Sequence, residues 1–133
     1  MKRLVPALAA LLGLGAIGAI ALLLSTRRMV VEGRSMEPEF QPGDRVLVNK
    51  LAYLRSAPAR GDVVVVQRAG DASPHLKRIA FVPGDEVEAG SGRRRLGPGE
   101  YWLLGDNPAE STDSRQLGPA RREEIAGKVL FKY

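Results

Sequence analysis

"RGDVVVVQR", Arg60 to Arg68, decides the fold. Val63 to Val66 are β-branched with no polar residue among them, so a strand here has no wet face and must be covered on both sides. The Gly-Asp step before it is turn chemistry: glycine tolerates positive φ, and aspartate bonds its own backbone as the chain leaves. A central strand needs neighbours. Strands are predicted at Met29–Glu32, Arg45–Asn49, Val63–Arg68, Leu76–Val82, Glu86–Ala89, Tyr101–Leu104 and Lys128–Lys132, separated by "PGD" at Pro42–Asp44, "PGD" at Pro83–Asp85 and "LGD" at Leu104–Asp106. Ser91–Glu100 reads as a hairpin tip, and Pro119–Gly127 as one short helix with proline at its start and glycine beyond its end. The 133 residues allow one such core, so the fold class is mainly β, with an all-β domain over 29–133.

The N-terminal part is different in kind. No charged side chain occurs from Leu4 to Thr26, a run long enough at about 1.5 Å per residue to span a hydrocarbon core of roughly 30 Å. A cleavable leader has a shorter apolar region and a small-residue cut site, whereas this run ends in "ALLLSTRR". The segment 4–26 is therefore expected to be a retained transmembrane helix, with 1–3 a short flank. Lys2 and Arg3 on one side balance Arg27 and Arg28 on the other, which leaves the topology open on charge alone.

The net charge of +5 comes from 20 basic and 15 acidic side chains. The excess is concentrated in those flanks, so no nucleic-acid partner is expected. Arg93–Arg95 is the one local basic cluster and reads as a solvated tip, with anionic lipid as its other possible contact. Without cysteine and with a single histidine, His75, the chain has no thiol nucleophile and no multi-histidine metal site. No metal or organic cofactor is implied.

A serine activated by lysine remains open. Ser35 and Met36 stand between Gly33 and Pro38, where no regular element should run. Among Lys50, Lys77, Lys128 and Lys132, only Lys77 lies in an apolar strand, "HLKRIAFV", sharing a face with Ile79 and Phe81. Burial lowers an amine's pKa from about 10.4 and frees its lone pair. An edge-strand lysine that reaches out to water is the plainer alternative, and His75 is the rival base.

"SMEP" at Ser35–Pro38, "RGDVVVV" at Arg60–Val66, "KRIAFVPGD" at Lys77–Asp85 and "GDNPAESTDSR" at Gly105–Arg115 resemble, in order and spacing, the motifs of the bacterial type I signal peptidases (leader peptidases), over Val30 to Lys132. The resemblance implies a signal-peptidase-like all-β catalytic domain behind one membrane anchor. It also implies Ser35 as nucleophile, Lys77 as general base, and Ser111 as the residue that orients the lysine. Asp113 and Arg115 would be structural, tying their loop to charges such as Arg78, while Asp106 and Asn107 would shape the loop. Gly33 stands where some members carry a serine that helps hold the oxyanion, which leaves that task to backbone N–H groups such as that of Ser35. Met36 and Pro38 would contact substrate, and Pro108 replaces a basic residue common after "GDN". The short Glu86–Leu104 section implies a minimal core.

By the same resemblance the enzyme is a serine endopeptidase of the cell membrane, single-pass with its catalytic domain on the extracytoplasmic side. Its partners would be secretory preproteins, whose N-terminal signal peptides it removes, and the lipid bilayer. A specialised relative that processes one substrate, such as a pilin or conjugation protein, is the alternative. An inactive anchored β-domain that binds peptides is the reading from another class.

Overall fold

The computed structural model describes residues 4–133; the flank expected at 1–3 lies outside them. Helix α1 covers Leu4–Ser25, and its leucines and isoleucines all face outward. No other part of the described chain covers it, and it is long and apolar enough to cross a membrane. It stops one residue before the expected end. The hydroxyls of Ser25 and Thr26 donate back to the carbonyls of Leu22 and Leu23, at 2.8 and 3.1 Å, and Thr26 opens the first strand directly.

The strands are β1 Thr26–Val30, β2 Arg45–Asn49, β3 Val63–Val66, β4 His75–Phe81, β5 Glu86–Ala89, β6 Gly92–Arg95, β7 Glu100–Leu104, β8 Ala120–Arg121 and β9 Ile125–Lys132. Seven form one antiparallel sheet in the order β1-β2-β9-β3-β4-β7-β8, and β5-β6 is a separate ribbon. The fold is mainly β behind one apolar helix, as expected. All of Val63–Val66 is buried. Val63 and Val65 join Met36, Phe40 and Val46 in one cluster, while Val64 and Val66 join Ile79, Leu103 and Ile125 in another. The two-residue period of a strand thus feeds two cores from one segment, each buried valine contributing roughly 1.5 kcal/mol or more.

Three expectations are corrected. Pro119–Gly127 is not a helix: it forms β8, a 3-10 turn at Arg122–Glu124 and the start of β9. Pairing of β8 with β7 and of β9 with β3 outweighs the local signals. Ser91–Glu100 is not a single loop tip, because Gly92–Arg95 is strand β6. Its arginines face acids: Arg95 pairs with Glu86 and Arg94 with Glu100, and Arg93 stands opposite Glu88. Finally, a bulge between Ile79 and Phe81 breaks the expected single face of β4, so Phe81 packs toward Val87, Leu96 and Trp102.

Strand β9 crosses β2 closely at Gly127. A Cβ there would meet Val48 Cγ1 at 2.7 Å and the Asn49 carbonyl oxygen at 2.9 Å. Gly127→Ala is expected to destabilise the detergent-solubilised protein by about 1–3 kcal/mol through overpacking, read as a lower melting temperature.

Candidate active site

The turn after β1 is pinned to the core from below. Met36 and Phe40 are both buried in the cluster with Val31 and Val46, and the Phe40 N–H donates to the Met36 carbonyl at 2.9 Å. Between these anchors and the extended Glu32–Arg34 segment stands Ser35, half-buried. Strand β4 approaches from the other side. Its register with β3 sets Lys77 opposite Val64, and Lys77 is only 7% exposed. Its Nζ lies 3.0 Å from Ser35 Oγ, a hydrogen bond across 42 residues of sequence.

Burial lowers the pKa of Lys77 from its ordinary value, against the opposing pull of Asp113 and Asp71. Among the described residues no carboxylate forms an ion pair with it, so nothing close holds the amine in its charged form.

The third component is the loop 105–113. The Asn107 N–H donates to the Ser35 carbonyl at 2.8 Å, and its side-chain amide donates to the Arg34 carbonyl at 3.1 Å. Gly105 makes this approach possible, since a Cβ there would lie 2.5 Å from Ser111 Cβ and 2.7 Å from the Ser35 carbonyl oxygen. Below, the side chain of Asp113 has no exposure. It accepts from the Gly105 N–H at 2.9 Å, from Ser111 Oγ at 2.7 Å and from Arg115 Nη2 at 2.7 Å. Burial alone would raise the Asp113 pKa, but these donors hold it well below the usual carboxylate range. It also caps helix α2, Ser114–Leu117, in a capping box with Gln116.

Several expected contacts are placed differently. Ser111 lies in this network, but its hydroxyl donates to Asp113 rather than meeting Lys77. Asp113 and Arg115 bind each other, not Arg78. Arg78 instead pairs with Asp106, with Nη2 to Oδ2 at 2.8 Å, and with Glu39, and donates to the Gly61 carbonyl at 3.0 Å. These partners hold its guanidinium firmly charged, its pKa raised. Met36 does not line the pocket, because the turn drives it into the core at 1% exposure, and Pro38 faces solvent outside the pocket. Pro108 opens an exposed 3-10 turn. His75 sits exposed on the pocket rim with no hydrogen bond to Ser35.

The pocket over Ser35 and Lys77 has a volume of about 290 Å³. Gly33, at φ +76°, Val66 and Leu103 are among its walls, and Arg68 and Asp71 were not singled out from the sequence. They sit in a loop whose only signal was "AGD", an ordinary turn.

A serine hydroxyl in contact with a buried, unpaired amine at the base of an open pocket defines the class of a hydroxyl-nucleophile hydrolase. The family model described as "Signal peptidase, peptidase S26" matches residues 1–96 and 89–133, and the chain belongs to that family; it is a serine peptidase. It is 30% identical over 141 residues to signal peptidase I of Bacillus caldolyticus, covering 78% of this chain and 77% of that one. It is 33% identical over 111 residues to mitochondrial inner membrane protease subunit 1 of Mus musculus, covering 78% and 67%. Against signal peptidase IB of Staphylococcus aureus the identity is 28% over 144 residues, covering 77% and 75%.

The depressed pKa of Asp113 makes a stability prediction. Such a carboxylate stabilises the fold above its unfolded value of about 3.9 and loses that contribution as pH falls through its lower native value. The melting temperature is expected to fall below about pH 4, and Asp113→Asn should flatten that fall while costing about 2 kcal/mol at neutral pH.

Proposed function

We propose that the chain is a membrane-anchored serine endopeptidase that removes N-terminal signal peptides from secreted preproteins, with Ser35 as nucleophile and Lys77 as general base. The observation that carries this reading is the 3.0 Å contact between Ser35 Oγ and the buried Lys77 Nζ. Neutral Lys77 takes the Ser35 proton as Oγ bonds to the scissile carbonyl carbon. The oxyanion that forms is met by the Ser35 N–H, which has no internal acceptor among the described residues. Protonated Lys77 then gives its proton to the departing amine as the C–N bond breaks. Water, deprotonated by the same lysine, attacks the acyl-enzyme and frees Ser35.

The substrate binds as an added strand. In support, the backbone N–H and C=O groups of Glu32 and Gly33, which line the pocket, make no internal hydrogen bond among the described residues. Walls formed by Val66 and Leu103 suit small side chains before the cut. Ser111 and Asp113 act as positioning residues, holding the loop 105–113 against Ser35. Helix α1 is the anchor, with Met1 in the cytoplasm and the catalytic domain on the extracytoplasmic side, where a translocating preprotein presents its cleavage site.

Cleavage of a secretory precursor by the solubilised full chain tests the mechanism. Ser35→Ala and Lys77→Ala should each lose at least about a thousandfold in kcat/KM, while His75→Ala retains activity. Because the base works unprotonated, kcat/KM should rise with pH, and burial should bring that rise below the ordinary lysine value. An active Ser35→Ala, or a His75→Ala as dead as Ser35→Ala, would sink the reading. A panel of unrelated precursors separates general processing from a single-substrate role.

A further inference from the structure

The turn after β2 is held rigidly while showing its largest apolar side chains to solvent. Leu51 is 50% and Leu54 73% exposed, the latter as open as Leu24 of α1. The turn itself is well ordered. The Leu51 N–H donates to Asn49 Oδ1 at 2.9 Å and the Leu54 N–H to the Leu51 carbonyl at 3.3 Å. Tyr53 points the other way, its hydroxyl donating to Asp62 at 2.7 Å and its ring under the Arg122 guanidinium at 5.3 Å. Buried attachment through Tyr53 thus fixes the leucines outward instead of letting them fold in.

The position of the turn identifies what covers them. The Lys50 N–H donates to the carbonyl of Ser25, the last residue of α1, at 2.8 Å, so the turn begins one hydrogen bond from the end of the apolar helix. Around it, Arg27, Arg28, Lys50 and Arg55 are exposed, and among the described residues none of them pairs with a carboxylate. The basic ribbon β6 differs in this respect, because Arg94 and Arg95 are neutralised by Glu100 and Glu86. Leucines beside unpaired cations, at the end of a membrane-length helix, match the layered chemistry of an anionic bilayer surface.

We infer that the turn 50–55 is a second membrane contact, in which Leu51 and Leu54 enter the interfacial layer of an anionic bilayer while Arg27, Arg28, Lys50 and Arg55 meet its headgroups. The inference rests on α1 being the anchor. It adds that the domain does not swing freely on that helix but is seated beside it.

The absence of cysteine allows single-cysteine probes in the full chain, reconstituted into phosphatidylcholine vesicles containing phosphatidylglycerol. An environment-sensitive fluorophore at Leu51→Cys or Leu54→Cys should be quenched by spin-labelled lipid at least about threefold more than one at Ser91→Cys, in the turn of the β5-β6 ribbon. Lys50→Gln with Arg55→Gln, or omission of phosphatidylglycerol, should reduce that quenching severalfold. A probe at Ala16→Cys reports the anchor separately. If Ala16 is quenched while Leu54 behaves like Ser91, the second contact is refuted and the anchor stands; if Ala16 is not quenched, both fall. A Leu54 probe shielded from water but untouched by spin-labelled lipid would mark a protein partner or a second copy, and would equally overturn the inference. Indifference to lipid charge would remove the role given to the cations.

Discussion

The contact between Lys77 and Ser35 depends on the register of β4 against β3. With Lys77 opposite Val64, its side chain leaves the sheet on the face that Val66 and Leu103 keep dry. A slip of one residue would turn Lys77 to the other face and bring Arg78 in its place. Arginine keeps its charge in any protein setting, so the slipped register would hold no base at all. The register is secured because β3 is buried on both faces, which makes any misplacement expensive for two cores at once.

Around that contact the charged groups divide the work by exposure. Arg78, the neighbour of Lys77, faces the opposite side and ties together the loops that carry Gly61, Glu39 and Asp106. Asp113 lies within the interior, but its negative charge is absorbed by Arg115 and by the donors from Gly105 and Ser111. A carboxylate left unpaired at that depth would hold Lys77 protonated. Satisfying Asp113 elsewhere is therefore part of what allows burial to dominate at the lysine.

At the end of α1 the pattern is the reverse. Cations there lack acidic partners and leucines lack cover, whereas the arginines of β6 are each set against an acid. Basic residues close together in sequence are thus of two physical kinds, distinguished only by what the fold places across from them.

Much of the fold was legible because it rests on local chemistry. The uncharged run gives α1, the valine run gives a strand buried on both faces, and glycine-aspartate turns mark the breaks. The four quoted motifs also named Ser35 and Lys77 as partners. The helix expected at Pro119–Gly127 failed because its caps are local signals, while the pairing of Ala120–Arg121 with β7 is decided by distant residues. Arg93–Arg95 was misread for the same reason, since nothing in the order of residues shows which acids lie opposite. Met36 is instructive: an apolar residue beside a nucleophile suggests substrate contact, yet the turn closed by Phe40 drives it into the core. The sequence by itself determined which segments are apolar, where the chain turns, and which side chains have the chemistry to react, because these are properties of residues and their near neighbours. Only the tertiary structure decided which hydroxyl meets which amine, which carboxylates are neutralised, and which cations remain open to a partner, because each depends on groups brought together from far apart in the chain.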